Sequence, residues 1–235
     1  MTTLVCLPYA GAGASFFRPW QAIAGDALRV VPVQLPGRER LIDLDPHRDV
    51  HLAVDDLHAR LPELLGEQRR IALFGHSLGA VLAYEFAHRL AQDPEIKLVR
   101  LFVSGSPQPG AGREQRATGL TDDAFLARVS EFAGYTHEAL EDPEMREMIL
   151  PTLRADVEMH ENYVPSTHLP LPVPVTVIRG EDDELVSYED AAGWSKATSA
   201  DFEHVEMPGG HMYLAEAVPA LLGLISSTVG VRSVR

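Results

Sequence analysis

The chain has 235 residues, with 20 Lys and Arg against 34 Asp and Glu and a formal net charge of −14. That length suits one large α/β domain or two very small ones, and 46% apolar residues can bury a sizeable core, which excludes a disordered chain. The charge argues against nucleic acid, whose phosphates need a dense cationic surface, and against an anionic membrane. The single cysteine, Cys6, permits no intrachain disulfide and no Cys-based metal site, so a reducing, cytoplasmic setting is expected. Met1 to Ala14 is apolar with no preceding Lys or Arg, unlike a secretory signal. No run of 18 apolar residues predicts a bilayer span.

In chain order, Thr3–Pro8 and Leu28–Leu35 predict two buried strands. Leu52–Leu65, with Leu57, Leu61 and Leu64 at helical spacing, predicts a helix. Ile71–Gly75 is a third strand, followed by a helix over Val81–Leu90, and Leu98–Ser104 is a fourth strand. From Ser106 to Pro172 no strand is predicted. A Gly- and Pro-rich loop, Pro107–Thr118, precedes helices over Asp122–Phe132 and Pro143–Tyr163; Thr121 and Asp122 compete as N-cap of the first. The stiff run Leu169-Pro-Leu-Pro-Val-Pro174 leads to a fifth strand, Val173–Arg179. A helix over Tyr188–Ala197, a sixth strand over Phe202–Met207 and a helix over Val218–Val229 complete the chain. Such alternation predicts an α/β fold, a mostly parallel central sheet flanked by helices. Residues 1–105 and 173–235 form its core, and 106–172 a helical lid insertion.

Gly75-His76-Ser77-Leu78-Gly79 ends the third strand and opens a helix, the setting of a nucleophile elbow. Ser77 is therefore the expected nucleophile, with His76 in a packing role. In that fold the orienting acid and the base follow in the order acid, then His. After the fifth strand comes Gly180-Glu-Asp-Asp-Glu184, from which Asp183 is preferred and Asp182 is second. The alternative position after the fourth strand, Gly105–Arg113, holds no Asp or Glu. Pro208-Gly-Gly-His211 follows the sixth strand, and its glycines allow the sharp loop that presents an imidazole, so His211 is the expected base. His204 lies within a strand pattern and reads as structural.

The oxyanion hole is expected to combine the Leu78 N–H with one from the loop Pro8–Gly13, either Ala10, which is favoured, or Gly11. That loop is no dinucleotide fingerprint, because Phe16 stands where a third glycine is needed. His47, His51, Asp55 and His58 have helical spacing but no H-E-x-x-H pattern, so neither metal nor cofactor is expected. Cys6 reads as a small buried hydrophobe.

These residues stand in a chain that resembles the type II thioesterases, stand-alone editing hydrolases of polyketide synthase and nonribosomal peptide synthetase pathways. The resemblance runs from about Leu4 to Leu224. It is carried by Leu7-Pro-Tyr-Ala-Gly11 with Ser15-Phe-Phe17 and Trp20, and by Val33-Gln-Leu-Pro-Gly-Arg-Glu39. Further matches are Gly75-His-Ser-Leu-Gly-Ala80, Leu150-Pro-Thr-Leu-Arg-Ala-Asp156 and Pro208-Gly-Gly-His211. The sequence departs at Tyr9, where many members have His, at Ala12, where Gly is usual, and at Leu78, where Met is common.

The resemblance implies an α/β-hydrolase fold and a Ser77, Asp183, His211 triad. It also implies hydrolysis of acyl groups on the phosphopantetheine arm of acyl or peptidyl carrier proteins. Phe125, Phe132, Tyr135 and Met148 are candidates to wall the substrate channel. Arg38, Arg40, Arg113 and Arg116 are candidates for a basic landing patch for an acidic carrier. A monomer is expected. The competing classes are a small-molecule carboxylesterase and a non-catalytic binding protein of the same fold.

Overall fold

The computed structural model describes residues 1–112, 116–133 and 142–230. Six strands, β1 (Thr2–Leu7), β2 (Leu28–Pro32), β3 (Arg70–His76), β4 (Lys97–Ser104), β5 (Val175–Gly180) and β6 (Phe202–Met207), form one sheet in the order β2-β1-β3-β4-β5-β6. Every pairing is parallel. Parallel strands need crossovers, and these carry helices on both faces, so the central strands are buried on both sides and read as unbroken apolar runs. Side chains alternate between two cores. Val5, Leu7, Leu73, Val103 and Val177 face one that includes Leu57, Leu82, Phe86 and Trp194. Leu4, Cys6, Phe74, Phe102 and Ile178 face the other, with Phe17, Trp20, Leu221 and Ile225.

The helices are α1 (Trp20–Ala24), α2 (Val50–Ala59), α3 (Leu61–Leu65), α4 (Leu78–Leu90), α5 (Asp122–Ala133), α6 (Pro143–Glu161), α7 (Tyr188–Ala192) and α8 (Val218–Thr228). The helix expected over Leu52–Leu65 is two helices, broken at Arg60 (φ −92°, ψ 7°), with Pro62 in the first turn of the second. Proline cannot continue the ladder, but it suits a helix start. Asp49 caps α2, its carboxylate accepting from the Leu52 N–H at 2.9 Å. The helix expected over Tyr188–Ala197 is α7, opened by a Ser187–Asp190 capping box, and a 3₁₀ segment over Gly193–Ala197. The second strand ends at Pro32, three residues earlier than expected: the Val33 N–H still bonds the Cys6 carbonyl at 2.9 Å, after which the chain leaves the sheet.

From β1 the chain runs to the edge at β2, then returns to β3 on the opposite side of β1. The loops after β1 and β3 therefore part at a topological switch point, where open α/β sheets bind ligands.

Between β4 and β5 lie α5 and α6, whose facing sides bury Ala117, Phe125, Leu150, Leu153 and Val157; Ala10, in the loop after β1, packs on this cluster. Two buried carboxylates tie the segment to the sheet domain. Asp156 on α6 forms an ion pair with Arg38. Glu85 on α4 accepts from Tyr163 Oη at 2.7 Å, the Ser166 N–H at 3.1 Å and Ser166 Oγ at 2.6 Å. Burial raises the Tyr163 hydroxyl, and the adjacent Glu85 charge raises it further, so it stays a donor. No helix among the described residues is long and apolar enough to cross a membrane.

Glu85→Ala leaves three partly buried donors without their acceptor and is expected to cost about 2 kcal/mol of unfolding free energy. Urea denaturation measures this; a change below about 1 kcal/mol would refute the tether.

Candidate active site

Ser77 is the single residue between β3, which ends at His76, and α4, which starts at Leu78. Its φ of 52° and ψ of −116° lie in a region that L-residues rarely occupy, at a cost of about 1–3 kcal/mol. The surroundings enforce it. The Ser77 N–H donates to the Ser104 carbonyl at 2.8 Å. A Cβ on Gly75 would overlap the Gly79 carbonyl, and one on Gly79 would overlap the Leu7 carbonyl. Only glycine lets the first turn of α4 lie this close to β1 and β3. The Leu78 N–H, in that first turn, has no partner from the helix itself and is free by position to serve a ligand.

Asp183 and His211 come from neighbouring strands. The ends of β5 and β6 are laced by Glu181 N–H to Met207 O at 2.8 Å and Asp182 N–H to Gly209 O at 3.0 Å. Gly180 has no room for a side chain against the carbonyls of Gly209 and Gly210. Across this contact His211 Nδ1–H donates to Asp183 Oδ2 at 2.9 Å. Asp183 Oδ1 accepts from the N–H groups of Leu185 (2.9 Å) and Val186 (3.1 Å). Burial on its own would raise the Asp183 carboxyl, but the His211 bond and charge, with the two backbone N–H groups, outweigh it and hold it below the usual value. Asp183 is 3% exposed, whereas Asp182 is at the surface. Of the two acids, Asp183 is therefore the one joined to His211.

The His211 ring packs against His76, the residue before Ser77, with centroids 4.8 Å apart. His76 is fully buried. Its Nδ1 bonds Ser104 Oγ at 2.8 Å, and that hydroxyl bonds Tyr213 Oη at 2.6 Å. Burial, then the proximity of His211, pushes the His76 imidazole well below its ordinary value, so it stays neutral. A side chain on Gly105 (φ +54°) would strike the His76 ring and come 3.1 Å from His211 Cε1. Sequence reasoning assigned His76 to packing but missed Ser104, Gly105 and Tyr213; the Ser-Gly-Ser run ending the fourth strand was the only local signal.

In the loop after β1, the Ala12 N–H bonds the Tyr9 carbonyl at 3.0 Å, and Gly11 has φ +79°. This is the type II turn geometry, which favours glycine at the third position. The Gly11 N–H donates to Asp156 Oδ2 at 2.7 Å. Of the two oxyanion donors considered, Gly11 is thus already engaged and Ala10 is left. Asp156 was not foreseen as a site residue.

Arg38 is no landing residue. It is buried, with Nη1 and Nη2 on Asp156 at 2.6 and 2.7 Å. Arg116 bonds Glu161 and Asn162, Arg40 is exposed, and Arg113 lies outside the described residues. Phe125, 1% exposed, belongs to the cluster between α5 and α6, with the Arg154 guanidinium 4.3 Å over its ring. Met148 is 50% exposed. Tyr135 and the Phe132 side chain lie outside the described residues. His47 sits 3.5 Å from an Asp56 oxygen, and His51 Nε2 lies 3.0 Å from the Val164 carbonyl. No group of three or more His, Cys, Asp or Glu positioned to hold a metal occurs among the described residues. Cys6 is buried, which raises its thiol well above the usual value.

A family model described as the thioesterase domain matches residues 2–229. The chain belongs to this family. Among curated proteins, it is 32% identical to the gramicidin S biosynthesis protein GrsT of Aneurinibacillus migulanus over 216 residues, 91% of this chain and 83% of GrsT. Among solved structures, it resembles RedJ, a thioesterase from the prodiginine pathway of Streptomyces coelicolor, with TM-score 0.88 and 32% identity over 97% of this chain and 90% of RedJ. BorB, a type II thioesterase from the borrelidin biosynthetic cluster, matches with TM-score 0.87 and 33% identity over 97% of this chain and 92% of BorB. The thioesterase thus has the α/β-hydrolase architecture of these neighbours, and it is a hydrolase of thioesters.

The neutral His76 carries a pH signature. Its folded-state value lies below the unfolded one, so its contribution is complete above about pH 6.5 and is lost as pH falls toward the folded value. The unfolding free energy is expected to fall between pH 7 and pH 5, less steeply in His76→Gln, by at most ~1.4 kcal/mol per pH unit from this site. Parallel pH profiles for the two proteins would disprove it.

Proposed function

We propose that this thioesterase hydrolyses acyl groups from the phosphopantetheine arm of acyl or peptidyl carrier proteins, clearing stalled or aberrant chains from polyketide or nonribosomal peptide assembly lines. Ser77 is the nucleophile, His211 the base and Asp183 the orienting acid, with the N–H groups of Ala10 and Leu78 as oxyanion donors. The observation that carries the reading is the buried Asp183–His211 hydrogen bond of 2.9 Å beside a serine held at φ 52°. The pathway assignment draws on what the relatives are named for: gramicidin S, prodiginine and borrelidin biosynthesis.

With Nδ1–H committed to Asp183, the His211 Nε2 lone pair accepts the Ser77 hydroxyl proton. Ser77 Oγ attacks the thioester carbonyl, and the oxyanion is met by the two backbone N–H groups. The intermediate collapses with cleavage of the C–S bond, and the imidazolium returns its proton to the leaving pantetheine sulfur. Water, deprotonated by His211, then attacks the acyl-serine. Collapse releases the free acid and restores the Ser77 hydroxyl. Asp183 stabilises the imidazolium formed in each half-reaction. The 106–172 segment acts as the lid above this chemistry, its α5–α6 cluster resting on Ala10.

Intact-mass analysis of an acyl-carrier panel tests the reading. Wild type is expected to return free carrier thiols and Ser77→Ala none, and full turnover by Ser77→Ala would reject it. Asp183→Asn is expected to lower kcat about 10²–10⁴-fold, with Asp182→Asn near wild type; the reverse order would move the acid. For docking, Arg40→Glu is expected to raise KM for acyl-carrier and leave acyl-pantetheine unaffected. Equal effects on both substrates would dismiss the basic contact.

A further inference from the structure

We propose that Asp156 is a positioning residue for the oxyanion hole: through the Gly11 N–H, and through Arg38 to the Ala12 carbonyl, it anchors the Tyr9–Ala12 turn and with it the place of the Ala10 N–H. This rests on the reading above, in which Ser77 attacks and Ala10 receives the oxyanion.

Asp156 is fully buried on α6, 145 residues from Gly11 in sequence. Its Oδ2 accepts from the Gly11 N–H at 2.7 Å and from Arg38 Nη1 at 2.6 Å. Its Oδ1 accepts from Arg38 Nη2 at 2.7 Å. Arg38 Nη1 donates in turn to the Ala12 carbonyl at 2.9 Å. The pair thus grips the turn at two successive residues.

Within the turn, the Tyr9 carbonyl is committed to the Ala12 N–H. In a trans peptide the Ala10 N–H points opposite to the Tyr9 carbonyl, so fixing one aims the other. The Ala10–Gly11 peptide could otherwise flip between type I and type II; the flip leaves the Tyr9–Ala10 peptide unrotated, so the carboxylate acts on the Ala10 N–H by holding the whole turn in place. A flip would turn the Gly11 N–H away from Asp156 and bring the Ala10 carbonyl toward the carboxylate, two acceptors face to face. The carboxylate therefore selects the type II form recorded in the Gly11 φ of +79°.

Side-chain packing presses from the same direction. A Cβ on Gly11 would lie 3.1 Å from Leu153 Cδ1 on α6, and Thr152 Oγ donates to the Gly37 carbonyl at 2.5 Å. Stability is a weak reason for the ion pair, because well-packed apolar replacements of buried pairs are often neutral or stabilising. What an apolar pair lacks is an oxygen for the Gly11 N–H.

Two double variants isolate that oxygen. Arg38→Met/Asp156→Asn and Arg38→Met/Asp156→Leu both remove the buried charges, and only the first offers an acceptor to Gly11. With an acyl-pantetheine thioester, kcat of the Leu variant is expected about 100-fold below that of the Asn variant, with KM within about threefold. The affinity of a trifluoromethyl ketone, which forms an oxyanion on Ser77, is expected to fall in proportion, while a non-hydrolysable amide analogue binds both alike. Equal kcat in the two folded variants overturns the proposal. Gly11→Ala, which strains the same turn without touching the pair, is expected to lose kcat at constant KM. Full kcat there overturns the proposal even where a double variant does not fold. Turnover by Ser77→Ala in this assay would instead reject the nucleophile assignment, so the two failures are distinguishable.

Discussion

Ser77 has to end a strand and begin a helix within one residue, and much of the molecule is arranged around that backbone angle. The turn closes only because Gly75 and Gly79 let α4 lie against the carbonyl end of β1 and because Ser104, at the end of β4, takes the Ser77 N–H. Strand order does the rest. With all six strands parallel, the loops after β1, β3, β5 and β6 emerge along one edge. Residues far apart in the chain meet there with no long excursions of the backbone.

Carboxylates organise this edge and its cover. Most of the chain's 34 acids have no such role, but Asp183, Asp156 and Glu85 are buried and each collects several donors. Removing a buried carboxylate from water costs several kcal/mol, and only multiple hydrogen bonds or a paired cation return that cost. Each carboxylate is consequently tied to one arrangement of its neighbours. Asp183 holds an imidazole, Asp156 a backbone turn, and Glu85 the chain leaving α6.

The sheet was readable because a doubly covered parallel strand is a bare apolar run; five of the six strands ended within two residues of where the pattern placed them, β2 being the exception. Ser77 and His211 were readable from adjacent glycines that mark tight turns. Asp183 was preferred over Asp182 there, with the second kept open, since neighbouring acids differ only in which way the loop turns them. Asp156 was less legible still, because its partners lie 118 and 145 residues away. Arg38 was misplaced for a related reason. An arginine in a polar loop is ordinarily solvated, and only the fold puts a fully buried acid across from it. Helix α1, at five residues, is too short to display a period.

The segment following α6 satisfies a charge that belongs to another element: Tyr163 and Ser166 reach back to Glu85, deep in α4. Together with Arg38 facing Asp156, this makes the α5–α6 region non-modular despite its position as a single excursion between two strands. Exchange of that region between relatives, whether by recombination or in a laboratory chimera, transfers the hydroxyls and the aspartate but leaves the glutamate and the arginine behind. A graft that ignores those two residues strands unpaired charge in the interior. The α5–α6 region should therefore diversify by point changes within an inherited framework more readily than by wholesale replacement.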